Sequence, residues 1–148
     1  MSEDLAAVDV GRVEILRPLT RELVATVLDS NGYHHAVDED GDIYGWWEQN
    51  LIYFLLDQAR ETVQVRTRAH RVFPVQDVPR LYAFCNHWNQ ERFWPKAYLL
   101  VLEDQPVTVW GEVIARLAAG VTTEQLDRIV QCGIATGCDL AAAVAELG

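Results

Sequence analysis

The sequence is poor in basic residues, has few cysteines and contains no long apolar run. Twelve lysines and arginines stand against 22 acids, a formal net charge of −10 over 148 residues. A surface of that sign repels phosphate backbones and anionic lipid, which argues against nucleic-acid and membrane partners. Acidity names no partner by itself, because it is also a common route to solubility. Cys85, Cys132 and Cys138 are an odd count without the spacing of a disulfide framework, and they suit a reducing cytosol. No stretch approaches the roughly 18 apolar residues of a membrane helix. The longest candidate, LIYFLL at 51–56, has the length of a strand. MSEDLAAVDVGR lacks the basic start and apolar run of a signal peptide, so a cytoplasmic location is expected.

Catalytic signatures are missing too. There is no GxSxG, Walker loop, GxGxxG or HExxH, so no catalytic residue and no cofactor is predicted. Cys85 and His87 are two apart on a predicted helix and face away from each other. DEDGD at 38–42 tempts toward calcium. With Gly41 as the sixth loop position, however, Ala36 and Trp47 stand where the first and last ligands belong, and Asp40-Gly41 reads as a hairpin turn. His34 and His35 are adjacent on an apparent strand and so point to opposite faces. Cys132 and Cys138 are six apart on a helix, on different sides, and no zinc set of about four ligands assembles. No metal site is predicted.

What is present is a core. Half the residues are hydrophobic, enough for one domain without staples. An acidic lead is read over residues 1–17 and a single domain over 18–148. Thr20 caps a first helix, carried by Leu23, Val24, Val27 and Leu28 and ended by Asn31-Gly32. Strands follow from Tyr33 to Val37, then IYGWWEQ, LIYFLLDQ and TVQVRTRAHRVF. Asp77-Val78-Pro79 starts a second helix with Asp at the cap and Pro in the first turn, and Leu81, Phe84, Cys85 and Trp88 form its apolar stripe. Pro95 forces the chain out of helical geometry, and AYLLVLED and VTVWGEVIARL read as two more strands. VTTEQL combines a Thr122/Gln125 capping box with a Val121/Leu126 staple, so a last helix runs from about Thr123 towards Leu147. Gly133 and Gly137 weaken its middle and permit a kink or a close approach. The class is α+β: an antiparallel sheet of about five strands with helices packed on it, in the order helix, three or four strands, helix, two strands, helix.

The sheet carries the functional clue. On TVQVRTRAHRVF, Val63, Val65, Thr67 and Ala69 share one face, and Gln64, Arg66, Arg68 and His70 the other. LIYFLL is apolar on both faces, and AYLLVLED and VTVWGEV do not alternate cleanly. An antiparallel sheet with one wet face alternates better, so a further helix, a second copy or a bound polypeptide is expected on the second face. Arg66, Arg68 and His70 form a basic stripe suited to an acidic partner or a carboxylate ligand, or else a solvated face paired across strands with acids such as Glu48 or Asp57. Of Trp46 and Trp47, at least one must point away from the main core; interfaces favour tryptophan. Trp46, Arg66, Arg68 and Trp110 are therefore the candidate partner-binding residues. Asn86 and Asn89 read either as a recognition ladder or as partners for the orphaned carbonyls of the helix end.

The helix carrying NHWN, the Trp-Pro corner and the strand KAYLLVLED, with DEDGDIYGWW before them and LAAGVTTEQLDRIV after, resemble the YbjN-type domain family of bacterial sensory-transduction regulators. The resemblance spans roughly residues 18–145. It implies a fold like that of the type III secretion chaperones, often dimeric, and carries over no reaction and no catalytic residues. Together these readings predict a non-catalytic cytoplasmic module that binds a protein partner, as a homodimer. The alternative is a small-ligand sensor or enzyme with a pocket between the second helix and the sheet, near Cys85 or His87.

Overall fold

The computed structural model describes residues 15–148, and the acidic lead read over residues 1–17 lies mostly outside that range. Helix α1, Arg21–Ser30, begins where the Thr20 hydroxyl accepts the Leu23 N–H at 3.1 Å. It buries Leu23, Val24, Val27 and Leu28 and ends at Gly32, whose φ of +73° suits the residue without a Cβ.

Among the described residues six strands make one sheet: β1 Ala36–Val37, β2 Ile43–Trp47, β3 Asn50–Asp57, β4 Thr62–Phe73, β5 Lys96–Leu100 and β6 Val107–Arg116. Their order is β1-β2-β3-β4-β6-β5, every neighbour antiparallel. The count is six, not about five. Of Tyr33 to Val37 only Ala36 and Val37 pair, across the DEDGD turn, a rung too short to show alternation. His34 and His35 thus precede the strand instead of lying in it. The strand read through AYLLVLED stops at Leu100, after which the chain turns, with Asp104 at φ +57°.

β2 and β3 are joined by Glu48 and Gln49, both left-handed at φ +52° and +72°. That geometry matches the twist of a two-residue hairpin but disfavours residues with a Cβ. Gln49→Gly is therefore expected to stabilise the protein by about 1 kcal/mol. Urea denaturation checks it, and an unchanged or lower midpoint would count against strain at this turn.

Helix α2, Val78–Glu91, follows a 3-10 turn at Val75–Asp77. Asp77 stands at the cap position with helical backbone angles and makes no capping bond; its carboxylate meets Arg80 at 3.2 Å instead. Helix α3, Thr123–Ala145, has the full capping box, and Val121 and Leu126 are both buried at its start. By length and composition alone α3 is long and apolar enough to cross a bilayer, contrary to the reading that no stretch approaches this. Its apolar side is spent on the sheet: Leu126, Val130, Ile134, Leu140 and Val144 are core.

All three helices of the described residues pack on one face. Leu28, Val130 and Ile134 meet Ile52, Phe54, Val63 and Val65 in one cluster. Leu81, Cys85, Trp88 and Leu140 meet Ala69, Phe73, Ala97 and Val109 in the other. Gly133 and Gly137 face Val65 and Thr67 so closely that α3 lies almost on the strand. They serve a close approach within one continuous helix.

Candidate functional site

The aromatic corner after α2 is structural. Asn89 spans the edge of β5: its amide nitrogen donates to the Ala97 carbonyl at 2.9 Å, and its oxygen accepts the Ala97 N–H at 2.8 Å. The Trp88 indole donates to the Pro95 carbonyl at 3.1 Å, beneath the Arg92 guanidinium. Asn86 is exposed on the helix, so no asparagine ladder forms with it.

The pocket read as an alternative between α2 and the sheet is filled by Leu81, Cys85 and Trp88. His87 is exposed, turned away from that interface. Burial pushes the Cys85 thiol up to about 11. The Cys138 thiol is pushed up to about 12, first by burial and then by the Glu48 carboxylate, which accepts a hydrogen bond from the S–H. Against the ordinary 9.0, the reactive thiolate is scarcer by about 100-fold at Cys85 and about 1000-fold at Cys138. Iodoacetamide at pH 8, read by mass spectrometry, is expected to label both at least tenfold more slowly in the native protein than in urea. Equal rates would refute the burial argument. Because each thiol titrates higher folded than unfolded, its stabilisation is intact below pH 9 and is lost as pH rises through the folded values.

Asp38, Asp40 and Asp42 place carboxylate oxygens within 4.8 Å of one another. The cluster is accounted for by the turn: Asp38 accepts the N–H groups of Asp40 and Asp42, both at 2.9 Å, and Arg21 stands 3.7 Å from Asp42. His35 contacts Asp29 at 2.8 Å, back on α1.

The second sheet face carries no helix among the described residues, and all four predicted partner-binding residues lie on it. Strand register lines them up. One row across the sheet reads Trp46, Leu51, Arg68, Trp110 and Tyr98. The next reads Tyr44, Tyr53, Arg66, Glu112 and Lys96. Trp46 is 57% exposed, whereas its neighbour Trp47 turns inward onto Tyr33 and Phe54. Leu51 is only 7% exposed although no helix covers it, so the flanking long side chains shield one another.

The two arginines differ. Arg66 lies 3.6 Å from Glu112 and donates to Gln64 at 2.8 Å, while its buried Nε lacks a partner among the described residues. The acids expected to pair with it are elsewhere: Asp57 meets Arg60, and Glu48 faces Cys138. Burial raises the Tyr98 phenol, with Arg66 opposing and Glu112 adding. Arg68 has no carboxylate partner among the described residues. It opens onto a cavity of about 330 Å³ shared with His70, Val72, Leu100, Leu102, Thr108 and Trp110. Sequence reasoning missed the role of Val72. Its signal was present as an apolar residue on a strand, but the register shift between Arg68 and Val72 on β4 is what places it on this rim.

The sequence model of the YbjN family, described as "Putative bacterial sensory transduction regulator", matches residues 20–146. No curated protein matches the chain. Among solved structures, E. coli YbjN is similar with a TM-score of 0.73 at 17% identity, over 88% of this chain and 95% of that one. A chain of the ExsC–ExsE complex is similar with a TM-score of 0.53 at 21% identity, over 81% and 86%. The type III secretion chaperone SycH of Yersinia pestis, solved with a fragment of YscM2, gives 0.45 at 12%, over 80% and 97%. The first two likenesses are of fold, and they agree with the α+β architecture expected from the sequence.

Proposed function

The chain belongs to the YbjN family, and from that premise we propose that it is a non-catalytic regulatory module that binds another protein on the open face of its sheet. The observation that carries the reading is the one-sided placement of the helices. It leaves Trp46, Arg66, Arg68 and Trp110 together on a face that no described helix covers. Tryptophan and arginine are the residues most enriched among binding hot spots, and a basic stripe on a chain of net charge −10 favours selectivity for one kind of partner. A chain of similar fold occurs in a two-protein assembly, the ExsC–ExsE complex, which gives the reading a precedent. We place the protein in the cytoplasm and take it to act as a homodimer.

The test is affinity capture from the native cell with the wild type and with Trp46→Ser/Trp110→Ser, followed by mass spectrometry, with light scattering on both proteins. A partner held by the wild type and lost from an equally stable variant is the expected result. Equal capture by both would rule out the open face, and a monomeric wild type at micromolar concentration would rule out the homodimer.

A further inference from the structure

The open face is not uniform, and its far end is chemically directional. Where β4, β6 and β5 run side by side, Arg68 pairs in register with Trp110, and Val72 with Thr108, which in turn faces Leu100. Between those two levels β4 advances four residues while β6 advances two, an irregular step that opens the cavity of about 330 Å³. The cationic end holds Arg68, with no acid among the cavity's lining residues. The middle is aliphatic and uncovered: Val72 is 51% exposed and Leu102 53%. A neighbouring cavity of about 650 Å³ continues past Val72 and Leu102 to Glu103 and Asp104. The surface thus runs from cation, through hydrocarbon, to anion.

We infer that this groove takes an extended acidic peptide segment of the partner, with a carboxylate at Arg68 and an aliphatic side chain two residues away over Val72 and Leu100. The spacing follows from the sheet. Trp110 and Thr108 are two residues apart on β6, a span of roughly 6.8 Å, and residues i and i+2 of an extended peptide repeat on one side at the same interval. Charge complementarity sets the direction. Arg68 lacks a carboxylate among the described residues whereas Arg66 has Glu112, so of the two arginines Arg68 is the one left for a ligand, and it is the one that lines the cavity. Glu103 and Asp104 repel a second carboxylate at the other end. The Trp110 indole N–H is already taken by the Thr108 hydroxyl at 2.9 Å, which leaves the ring face as a contact surface.

The inference rests on the protein-binding reading and is tested separately from it. Fluorescein-labelled peptides carrying a single Glu-Ser-Leu, Gln-Ser-Leu or Glu-Ser-Ser between serine and glycine flanks are titrated onto the full chain and followed by anisotropy. The Glu-Ser-Leu probe is expected to bind about tenfold or more tightly than either of the others. It should weaken by a similar factor on Arg68→Gln, recover in part on Arg68→Lys, and lose affinity as salt rises. Equal binding of the glutamate and glutamine probes would overturn the inference. So would binding indifferent to Arg68, or a dimer that Val72→Asp breaks while no probe binds the wild type, which would make the groove a contact between copies. Glu3 and Leu5 of the chain itself have the same spacing. Binding seen only in Glu3→Ser/Leu5→Ser would assign the groove to that segment and overturn a partner ligand. If no probe binds while cellular capture still depends on Trp46 and Trp110, the inference fails and the protein-binding reading stands.

Discussion

Replacing Gly137 by alanine is expected to lower stability by about 3 kcal/mol, although the same change inside an exposed helix raises it by about 1. The sign is set by β4. A Cβ at position 137 would stand 2.0 Å from the Thr67 Oγ1 and 2.9 Å from its Cβ, and one at position 133 would stand 2.4 Å from the Val65 Cβ. Those atoms belong to short β-branched side chains on the central strand, which cannot swing clear. The helix must lift off the sheet and loosen both core clusters, to each of which it contributes buried side chains. The Thr67 hydroxyl offers a control, because it is buried without a hydrogen-bond partner among the described residues. Thr67→Ala alone is expected to cost little, and Gly137→Ala/Thr67→Ala should recover part of the loss, a coupling that urea denaturation measures directly. A Gly137→Ala protein as stable as the wild type would mean that α3 does not lie this close.

The second large effect is expected at Asn89. Its carboxamide stands in for a missing neighbour strand, holding both backbone groups of Ala97 on the outer edge of β5. Ala97 is 4% exposed, so water does not readily replace those bonds. Asn89→Ala therefore leaves a buried donor and a buried acceptor unmatched, and a loss of about 2–3 kcal/mol is expected. Asn89→Asp keeps the acceptor for the N–H but sets a carboxylate against the carbonyl, and it should not restore stability. Amide exchange gives a second readout: the Ala97 N–H should exchange faster in Asn89→Ala under native conditions. A midpoint within experimental error of wild type, with unchanged exchange at Ala97, would show that the clamp contributes nothing. The same clamp blunts an exposed sheet edge, so soluble aggregation of the alanine variant is the accompanying expectation.

Much of this was legible from local chemistry. Thr20 and the Thr122/Gln125 box marked two helix starts correctly, because a cap is a contact within four residues. Alternation along β4 separated Val63, Val65, Thr67 and Ala69, all buried, from Arg66 and Arg68 on the other face. Asp77 shows the limit of such signals: its carboxylate had two neighbours to choose from, and it took the Arg80 side chain over the backbone. The charge partner of Arg66 was out of reach for another reason. Glu112 is 46 positions away in the chain and meets Arg66 only because β6, and not β5, pairs with β4. The two glycines of α3 were legible as small residues but not as a seat, since the surface they fit is a strand some 70 positions earlier.

By itself, then, the sequence determined where the described helices and the longer strands lie, the caps at Thr20 and Thr122, and which side chains of β4 share a face. Those properties follow from backbone geometry with periods of two and 3.6 residues, and they need only near neighbours. Strand order, register and the side on which the helices settle were decided by the tertiary structure. They depend on which distant apolar faces bury one another best, and that competition put the three described helices on one side and drew Trp46, Arg68 and Trp110 into a single row on the other.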